Sequence, residues 1–183
     1  MKLPDFPSDK ISLYEFTLTL GLLLLAIAQE NMFIFIFYLG LMSKQFPSIL
    51  LKKWIKSPRP VEANNCNLTN TGGPVSHQNG FPSGHTMIST FVFVYSLYSF
   101  INIREETGKA TWGLLIITGI FFILMPIARV HIKCHTIPQV IGGIFFGTIW
   151  TILFILLEKY VFLKWPRYVK DKQRFVQSFI ATA

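Results

Sequence analysis

Three short stretches of the chain carry the residue types that a phosphate ester requires. They are Lys52-x6-Arg59-Pro60, Pro82-Ser83-Gly84-His85 and Arg129-x5-His135. Together they supply three fixed positive charges, two imidazoles and a Ser-Gly turn with backbone N–H groups. Each stretch lies at the end of a long apolar segment, where ionisable side chains are costly and usually functional. The set therefore predicts a site that binds and transforms an anionic ester.

The residue types divide naturally between binding and reaction. Arg presents a planar fork that matches two phosphoryl oxygens, and Lys supplies a point charge, which suits Lys52, Arg59 and Arg129. Ser83 and the backbone N–H of Gly84 stand at a predicted helix start, where free amides and the helix dipole favour an anion. One neutral imidazole can attack phosphorus while a second gives and takes a proton.

No carboxylate cluster lies near the two histidines in the sequence. A hard metal ion would need such oxygen ligands, so we predict neither a metal site nor a cofactor. Fixed donors and cations alone can stabilise the charge that develops in phosphoryl transfer.

The composition indicates a membrane protein. The 183 residues are 51% hydrophobic and 15% aromatic, only 14% are charged, and mean hydropathy is +0.46. A soluble domain needs more charge to cover its surface. We predict one integral membrane domain over residues 1–183. The net charge of +8 gathers at segment ends and in the C-terminal tail, which favours the lipid bilayer and phosphate substrates over nucleic acid.

Helices of about 20 apolar residues are needed to cross the hydrocarbon core. Five segments qualify, roughly 11–29, 31–54, 85–102, 112–130 and 136–160. The fold class is therefore all-α, a polytopic membrane helix bundle with five transmembrane helices, or six if the second segment breaks at Pro47. Lys44 also interrupts that segment. The stretch 57–82 predicts an exposed loop. The small residues Gly142, Gly143 and Gly147 predict close helix packing.

The five predicted spans place all three motifs on one membrane face. The other face carries the basic C-terminal tail, about residues 159–183, with Lys164, Arg167 and Lys170 among its charges. Cytoplasmic segments are enriched in Lys and Arg, so we predict a cytoplasmic tail and a site that faces the lumen or periplasm. Lys2 and Lys10 near the N-terminus oppose this orientation. An endoplasmic reticulum membrane and a bacterial inner membrane both remain open.

The motifs resemble those of the type-2 phosphatidic acid phosphatase superfamily, the membrane lipid phosphatases related to vanadium haloperoxidases. The family pattern is Lys-x6-Arg-Pro, Pro-Ser-Gly-His and Ser-Arg-x5-His-x3-Asp. The first two motifs are complete here. In the third, Ala128 replaces the usual Ser and Gln139 replaces the usual Asp. The resemblance covers residues 52–139, roughly half the chain, with all three motifs in order.

The resemblance implies roles for the two histidines. His135 would attack phosphorus to form a phosphohistidine, and His85 would protonate the leaving oxygen and then activate water. Gln139 stands one helical turn after His135 and can accept a hydrogen bond from its imidazole, although it brings no charge. In the triad of serine proteases, loss of the corresponding charge severely lowers activity. A catalytically impaired protein that only binds lipid phosphates is therefore one alternative.

The sequence around Gln139 resembles the third motif of dolichyl-diphosphate phosphatases, where Gln is usual. A polyprenyl diphosphate, dolichyl or undecaprenyl, is therefore the first substrate hypothesis. Phosphatidate, phosphatidylglycerophosphate or a sphingoid phosphate is the second. Transfer of the phosphoryl group to an alcohol also remains open. The sequence makes no prediction of oligomeric state.

The two cysteines both fall on the predicted site face. Cys66 lies in the long loop and Cys134 immediately precedes His135. In a lumen or periplasm the two thiols can pair, and a disulfide would tie the loop over the site. The sequence leaves open whether they do.

Overall fold

A computed structural model describes residues 20–61, 63, 66 and 78–181. Residues 11–19 of the first predicted span, and most of the predicted loop 57–82, lie outside this part of the chain. The described residues form helices and no strand. The helices are α1 (20–28), α2 (Met32–Ser43), α3 (Gln45–Ile55), α4 (Gly84–His131), α5 (Ile137–Tyr160), a 3₁₀ turn (Phe162–Lys164) and α6 (Pro166–Ala181). This confirms the predicted all-α fold class.

The second predicted segment is a pair of consecutive helices. Asn31 caps α2, because its side-chain oxygen accepts a hydrogen bond from the Ile34 N–H at 3.0 Å. The break before α3 lies at Lys44, and not at Pro47 as we considered from the sequence. Pro47 instead lies in the first turn of α3, where a missing N–H costs no helical hydrogen bond.

Helix α4 folds back on itself. Its backbone is helical from Gly84 to His131, yet Phe93 stacks on Phe122 with ring centroids 4.8 Å apart. On a straight helix those two residues would be about 43 Å apart. Phe100 and Trp112 also touch, at 4.5 Å, so the chain reverses between them. The first arm (84–100) and the second arm (112–131) match the two spans predicted there.

Close packing joins α5 to the first arm of α4. A Cβ on Gly143 would stand 2.8 Å from the Ser83 carbonyl oxygen, and one on Gly147 would stand 2.9 Å from the Thr90 Cβ. Contacts this short exclude any larger residue. The prediction of close packing at these glycines is confirmed, and it brings the start of α5 against the start of α4.

The basic tail is a helix docked on the bundle. Tyr168 of α6 is fully buried and packs on Phe33 of α2 with centroids 5.8 Å apart. Asp171 accepts a hydrogen bond from the Met32 N–H at 2.9 Å. In the sequence this segment stands out by its charge, and the apolar residues that dock it, among them Tyr168, are spaced between the charged ones.

Three described segments are long and apolar enough to cross a membrane: Met32–Ile55, Trp112–His131 and Ile137–Lys164. They correspond to three of the five predicted spans. The first arm of α4 is more polar, because it buries Thr86, Ser89 and Thr90 inside the bundle. The count of five therefore stays a prediction, while the membrane class is supported.

Candidate active site

The three motifs meet at one end of the bundle. Four helix ends converge there: the end of α3, the start of the first arm of α4, the end of its second arm and the start of α5. An isolated bridge pairs Pro58 with Asn79, and beside it the Gly80 N–H donates to the Ser57 carbonyl at 2.7 Å. This bridge brings the residues around Arg59 next to the Pro-Ser-Gly-His turn.

The Pro-Ser-Gly-His turn begins α4. Ser83 is the N-cap residue, and its hydroxyl oxygen accepts hydrogen bonds from the Thr86 N–H at 3.4 Å and the Thr86 hydroxyl at 3.0 Å. The Ser83 N–H donates to the Gln139 carbonyl at 3.0 Å. Ser83 thus fixes the turn, with Gly84 and the partly buried His85 directly after it. The direct phosphate contacts expected of Ser83 and Gly84 stay predictions.

The Arg129-x5-His135 motif closes a tight turn between α4 and α5. The backbone N–H groups of Cys134 and His135 both donate to the Arg129 carbonyl at 3.1 Å. Lys133 takes a left-handed backbone conformation, φ 58°, which reverses the chain. As a result the side chains of Arg129 and His135, each only 2% exposed, lie at the same buried end.

Arg59 lies against the predicted nucleophile. Its Nη1 is 3.2 Å from His135 Nε2 and donates to the Cys134 carbonyl at 2.9 Å. A guanidinium group has donors only, so Nε2 must face it with a lone pair. The ring proton is then on Nδ1, which lies 3.2 Å from the Oε1 of Gln139 and donates to it. In this tautomer Nε2 is the unprotonated, nucleophilic nitrogen, and in the empty site Arg59 occupies its lone pair.

Gln139 is held in a fixed orientation. Its Nε2 donates to the Pro58 carbonyl at 2.7 Å and to the Ser57 hydroxyl at 3.0 Å. These two acceptors require the amide nitrogen on their side, which turns Oε1 toward His135. The orienting contact expected of Gln139 is therefore present. Ser57 belongs to none of the three motifs, so the sequence does not predict its contact with Gln139.

The electrostatics favour a neutral His135. Burial, and after it the charges of Arg59, Arg129 and Lys52, hold the pKa of His135 well below its usual range. A neutral imidazole is the nucleophilic form, so the site keeps His135 reactive at neutral pH. Arg59 and Arg129 also act electrostatically on Lys52, which is 6% exposed. An anion bound among them would relieve this mutual repulsion.

A disulfide joins Cys66 to Cys134, with Cα atoms 5.5 Å apart. The backbone carbonyls of both cysteines accept hydrogen bonds from the site arginines. Arg129 Nη2 donates to the Cys66 carbonyl at 2.7 Å, and Arg59 donates to that of Cys134. The pairing that the sequence left open thus ties the long loop to the cation cluster.

The described part of the chain contains no group of three His, Cys, Asp or Glu side chains placed to hold a metal ion. The residues gathered at this end are cations, imidazoles and amides. Such a set of imidazoles and fixed positive charges is suited to bind an anion.

A sequence profile of the PAP2 superfamily matches residues 32–163. Phosphatidylglycerophosphatase B of Bacillus subtilis (strain 168) is 30% identical over 111 residues, which cover 60% of this chain and 48% of that protein. Dolichyldiphosphatase 1 of Dictyostelium discoideum is 24% identical over 154 residues, 83% of this chain and 64% of that protein. The aligned regions thus span about half to two thirds of these relatives.

A solved structure supports the same fold. A crystal structure of a transmembrane PAP2-type phosphatidylglycerolphosphate phosphatase from Bacillus subtilis superposes with a TM-score of 0.62 at 20% identity. The match covers 84% of this chain and 76% of that one. At this identity the match supports a common arrangement of the helices and nothing further.

Proposed function

The chain belongs to the PAP2 superfamily and is an integral membrane protein, and on that premise we propose that it is a lipid phosphatase acting through a phosphohistidine at His135. One observation carries the proposal most strongly. His135 Nε2 lies 3.2 Å from an Arg59 guanidinium while Nδ1 faces the Gln139 oxygen. A nucleophile held in the reactive tautomer beside a phosphate-binding cation is the arrangement that phosphoryl transfer needs.

The reaction would run in two displacements. His85 takes up a proton as the anionic substrate binds. Nε2 of His135 then bonds to phosphorus, and the bond between phosphorus and the leaving oxygen breaks as His85 gives that proton to the oxygen. His85 then takes a proton from water, and the resulting hydroxide attacks the phosphohistidine and releases inorganic phosphate. Lys52, Arg59 and Arg129 neutralise the equatorial oxygens in both steps.

The Gln139 geometry favours an active enzyme over a binding protein. Gln139 keeps the orienting bond to His135 Nδ1 while its own amide nitrogen is anchored on Ser57 and Pro58. The low pKa of His135 means that the free site needs no carboxylate to hold an imidazolium. The anionic phosphate itself can compensate the positive charge that His135 gains during transfer.

The first substrate we propose is a polyprenyl diphosphate, since the third motif resembles that of dolichyl-diphosphate phosphatases. A phosphatidylglycerophosphate is the second candidate, and the 30% identity to phosphatidylglycerophosphatase B favours it. Both substrates keep an apolar tail in the bilayer and present a phosphate at its surface.

We also propose that the site faces the lumen or periplasm. Exposed basic residues of the 3₁₀ turn and α6, namely Lys164, Arg167, Lys170 and Arg174, lie at the end of the bundle opposite the site. Positive residues concentrate on the cytoplasmic side, which supports a cytoplasmic α6 and a site across the membrane from it.

Phosphate release by the detergent-purified protein tests the function. We would supply a polyprenyl diphosphate or phosphatidylglycerophosphate with EDTA and no added metal, using wild type, His135→Ala and His131→Ala. His131 is an exposed histidine one turn earlier, so it serves as the matched control. We expect release that EDTA leaves unchanged, that His135→Ala lowers at least about a thousandfold, and that His131→Ala preserves. Equal activity of the two variants would refute the proposal.

A further inference from the structure

A buried lysine below the site belongs to none of the three motifs. Lys44 stands at the break between α2 and α3, inside the apolar segment Met32–Ile55, and is only 2% exposed. An ionisable residue inside a membrane span is expensive and is retained where it serves a function. Lys44 therefore calls for an explanation that the motifs do not give.

Lys44 shares one helix face with the first motif. Lys44, Ser48 and Lys52 are spaced by four residues, so they line one side of α3 over two turns, about 12 Å. All three side chains are buried, with Ser48 at 2% and Lys52 at 6% exposure. The face runs from the phosphate-binding end of the helix toward the interior of the bilayer.

This face touches the start of α4. Lys44 Nζ donates to the Gly84 carbonyl at 2.8 Å. A Cβ on Gly84 would stand 3.7 Å from Lys44 Nζ and 3.9 Å from the Ser48 hydroxyl. Gly84 immediately precedes His85, and the Lys44 charge acts on both His85 and Lys52. Lys44 is thus a further cation beside the proposed general acid.

The in-line geometry of phosphoryl transfer tells which part of a substrate would meet Lys44. Attacking and leaving atoms lie on opposite sides of phosphorus. With His135 attacking, the leaving group lies toward His85, and so toward Lys44. When a lipid diphosphate loses its terminal phosphate, the leaving group is a lipid monophosphate with anionic oxygens. When a lipid monophosphate reacts, the leaving group is an uncharged alcohol.

We propose that Lys44 and Ser48 bind the lipid-linked phosphate of a diphosphate substrate, so that the site prefers lipid diphosphates to lipid monophosphates. The inference rests on the proposed phosphatase function and deepens it. His135 Nε2 bonds to the terminal phosphorus, and the bridging P–O bond breaks with its electron pair on the lipid phosphate. Lys44 neutralises that phosphate, and water then releases the terminal phosphate from His135.

Two substrates with the same tail test the preference. We would compare farnesyl diphosphate with farnesyl phosphate, using the full chain in detergent and measuring kcat/KM for each. The variants are Lys44→Met, Lys44→Arg, Ser48→Ala and, as a control, Lys53→Met on the exposed side of α3. Wild type should prefer the diphosphate and release farnesyl phosphate as its first product.

The diphosphate-to-monophosphate ratio of kcat/KM should fall at least about tenfold in Lys44→Met, since one close charge–charge contact is lost. Lys44→Arg should recover part of it, Ser48→Ala should lower it less, and Lys53→Met should leave it unchanged. If Lys44→Met and Ser48→Ala lowered kcat/KM equally on both substrates, Lys44 would only stabilise the packing of α3 against α4, and the inference would be overturned.

Other outcomes separate this inference from the proposed function. A wild type that cleaves the monophosphate as well as the diphosphate, with no change of ratio in any variant, refutes the inference and keeps the phosphatase. A wild type that cleaves neither farnesyl substrate nor the lipids named above refutes both.

Discussion

The two ends of the helix bundle differ in how they hold buried charge. At the site end, Lys44 and Arg129 both lie close enough to Lys52 to act on its charge, and the described acceptors of Lys44 and Arg129 include neutral backbone carbonyls. At the opposite end, Glu158 is fully buried and accepts hydrogen bonds from Tyr95 at 2.9 Å, from Tyr168 at 2.8 Å, and from Lys172.

The difference indicates that the buried charges at the Glu158 end stabilise the fold, whereas those at the site end serve ligand binding. Glu158 is paired with an opposite charge and with two hydroxyl donors, so the protein itself provides everything that the carboxylate needs. The site end gathers like charges, which raises the energy of the empty protein. That energy is recovered when an anion binds, so the cation cluster is suited to a ligand. Substitutions at the two ends should therefore affect different measurements.

The largest expected effect on turnover is at Arg129. Arg129→Gln keeps a polar side chain in place of Arg129 but removes the charge and the Nη2 contact with the Cys66 carbonyl. We expect kcat/KM to fall at least about a hundredfold, since a charge-assisted hydrogen bond contributes about 1.5–3 kcal/mol and a guanidinium can make two of them to one phosphate. The thermal unfolding temperature should stay within a few degrees of wild type.

Arg167→Gln is the matched control, because Arg167 is an exposed arginine on α6 at the other end. It should leave turnover unchanged. Equal losses of turnover in the two arginine variants would contradict the distinction between the ends.

The largest expected effect on stability is at Glu158. Glu158→Gln turns an amide donor toward groups that already donate and leaves the Lys172 ammonium without its partner. We expect a destabilisation of about 3 kcal/mol, measured as a lower thermal unfolding temperature. The kcat of the protein that remains folded should be unchanged.

A double variant sharpens this test. Glu158→Gln with Lys172→Met removes both members of the ion pair and should recover part of the lost stability. If Glu158→Gln instead lowered kcat while the unfolding temperature held, the opposite end would be part of the catalytic machinery.

A smaller effect is expected from the disulfide. Reduction, or Cys66→Ser, should lower kcat/KM about three- to tenfold, because the carbonyls of both cysteines hold site arginines. Phosphate release with and without a membrane-permeant reductant measures the effect. The Cys66→Ser variant is the control, since reductant should not lower its activity further. An unchanged wild type in reductant would show that the arginines are held without the disulfide.

The smallest expected effect on the maximal rate is at Gln139. His135 attacks only when neutral, so activity falls as the pH drops through its pKa, which lies below the usual range. A carboxylate at this position would raise that pKa. Gln139→Glu should therefore move the acid limb of kcat/KM upward by about one pH unit or more. The pH profile of both proteins measures the shift, and an unmoved limb would mean that Gln139 does not contact His135 during catalysis.

The sequence predicted the convergence at the site because each motif sits at a span end, and span parity puts those ends on one face. It predicted the contacts of Gly143 and Gly147 because small residues on a membrane helix permit close approach. The role of Lys44 is harder to predict, because in the sequence it only interrupts an apolar run. The spacing of four residues from Lys44 to Ser48 and from Ser48 to Lys52 is the pattern that places all three on one helix face.

Other features depend on contacts that a single sequence does not encode locally. Ser57 carries no motif, and only the fold brings it to Gln139. The docking of α6 depends on a hydrogen bond between Asp171 and the Met32 N–H at the start of α2, two residues that are far apart in the sequence. The pairing of Cys66 with Cys134 likewise depends on where the long loop returns to the bundle.

Trapping the phosphoryl group on the protein tests the proposed phosphohistidine at His135 most directly. Farnesyl diphosphate labelled with ³²P in its terminal phosphate would be mixed with excess enzyme and quenched in alkali within milliseconds. We expect an alkali-stable, acid-labile label on His135, absent in His135→Ala and longer-lived in His85→Ala, which cannot activate water. Turnover with no trapped label in either the wild type or His85→Ala, or a label on another residue, would contradict it.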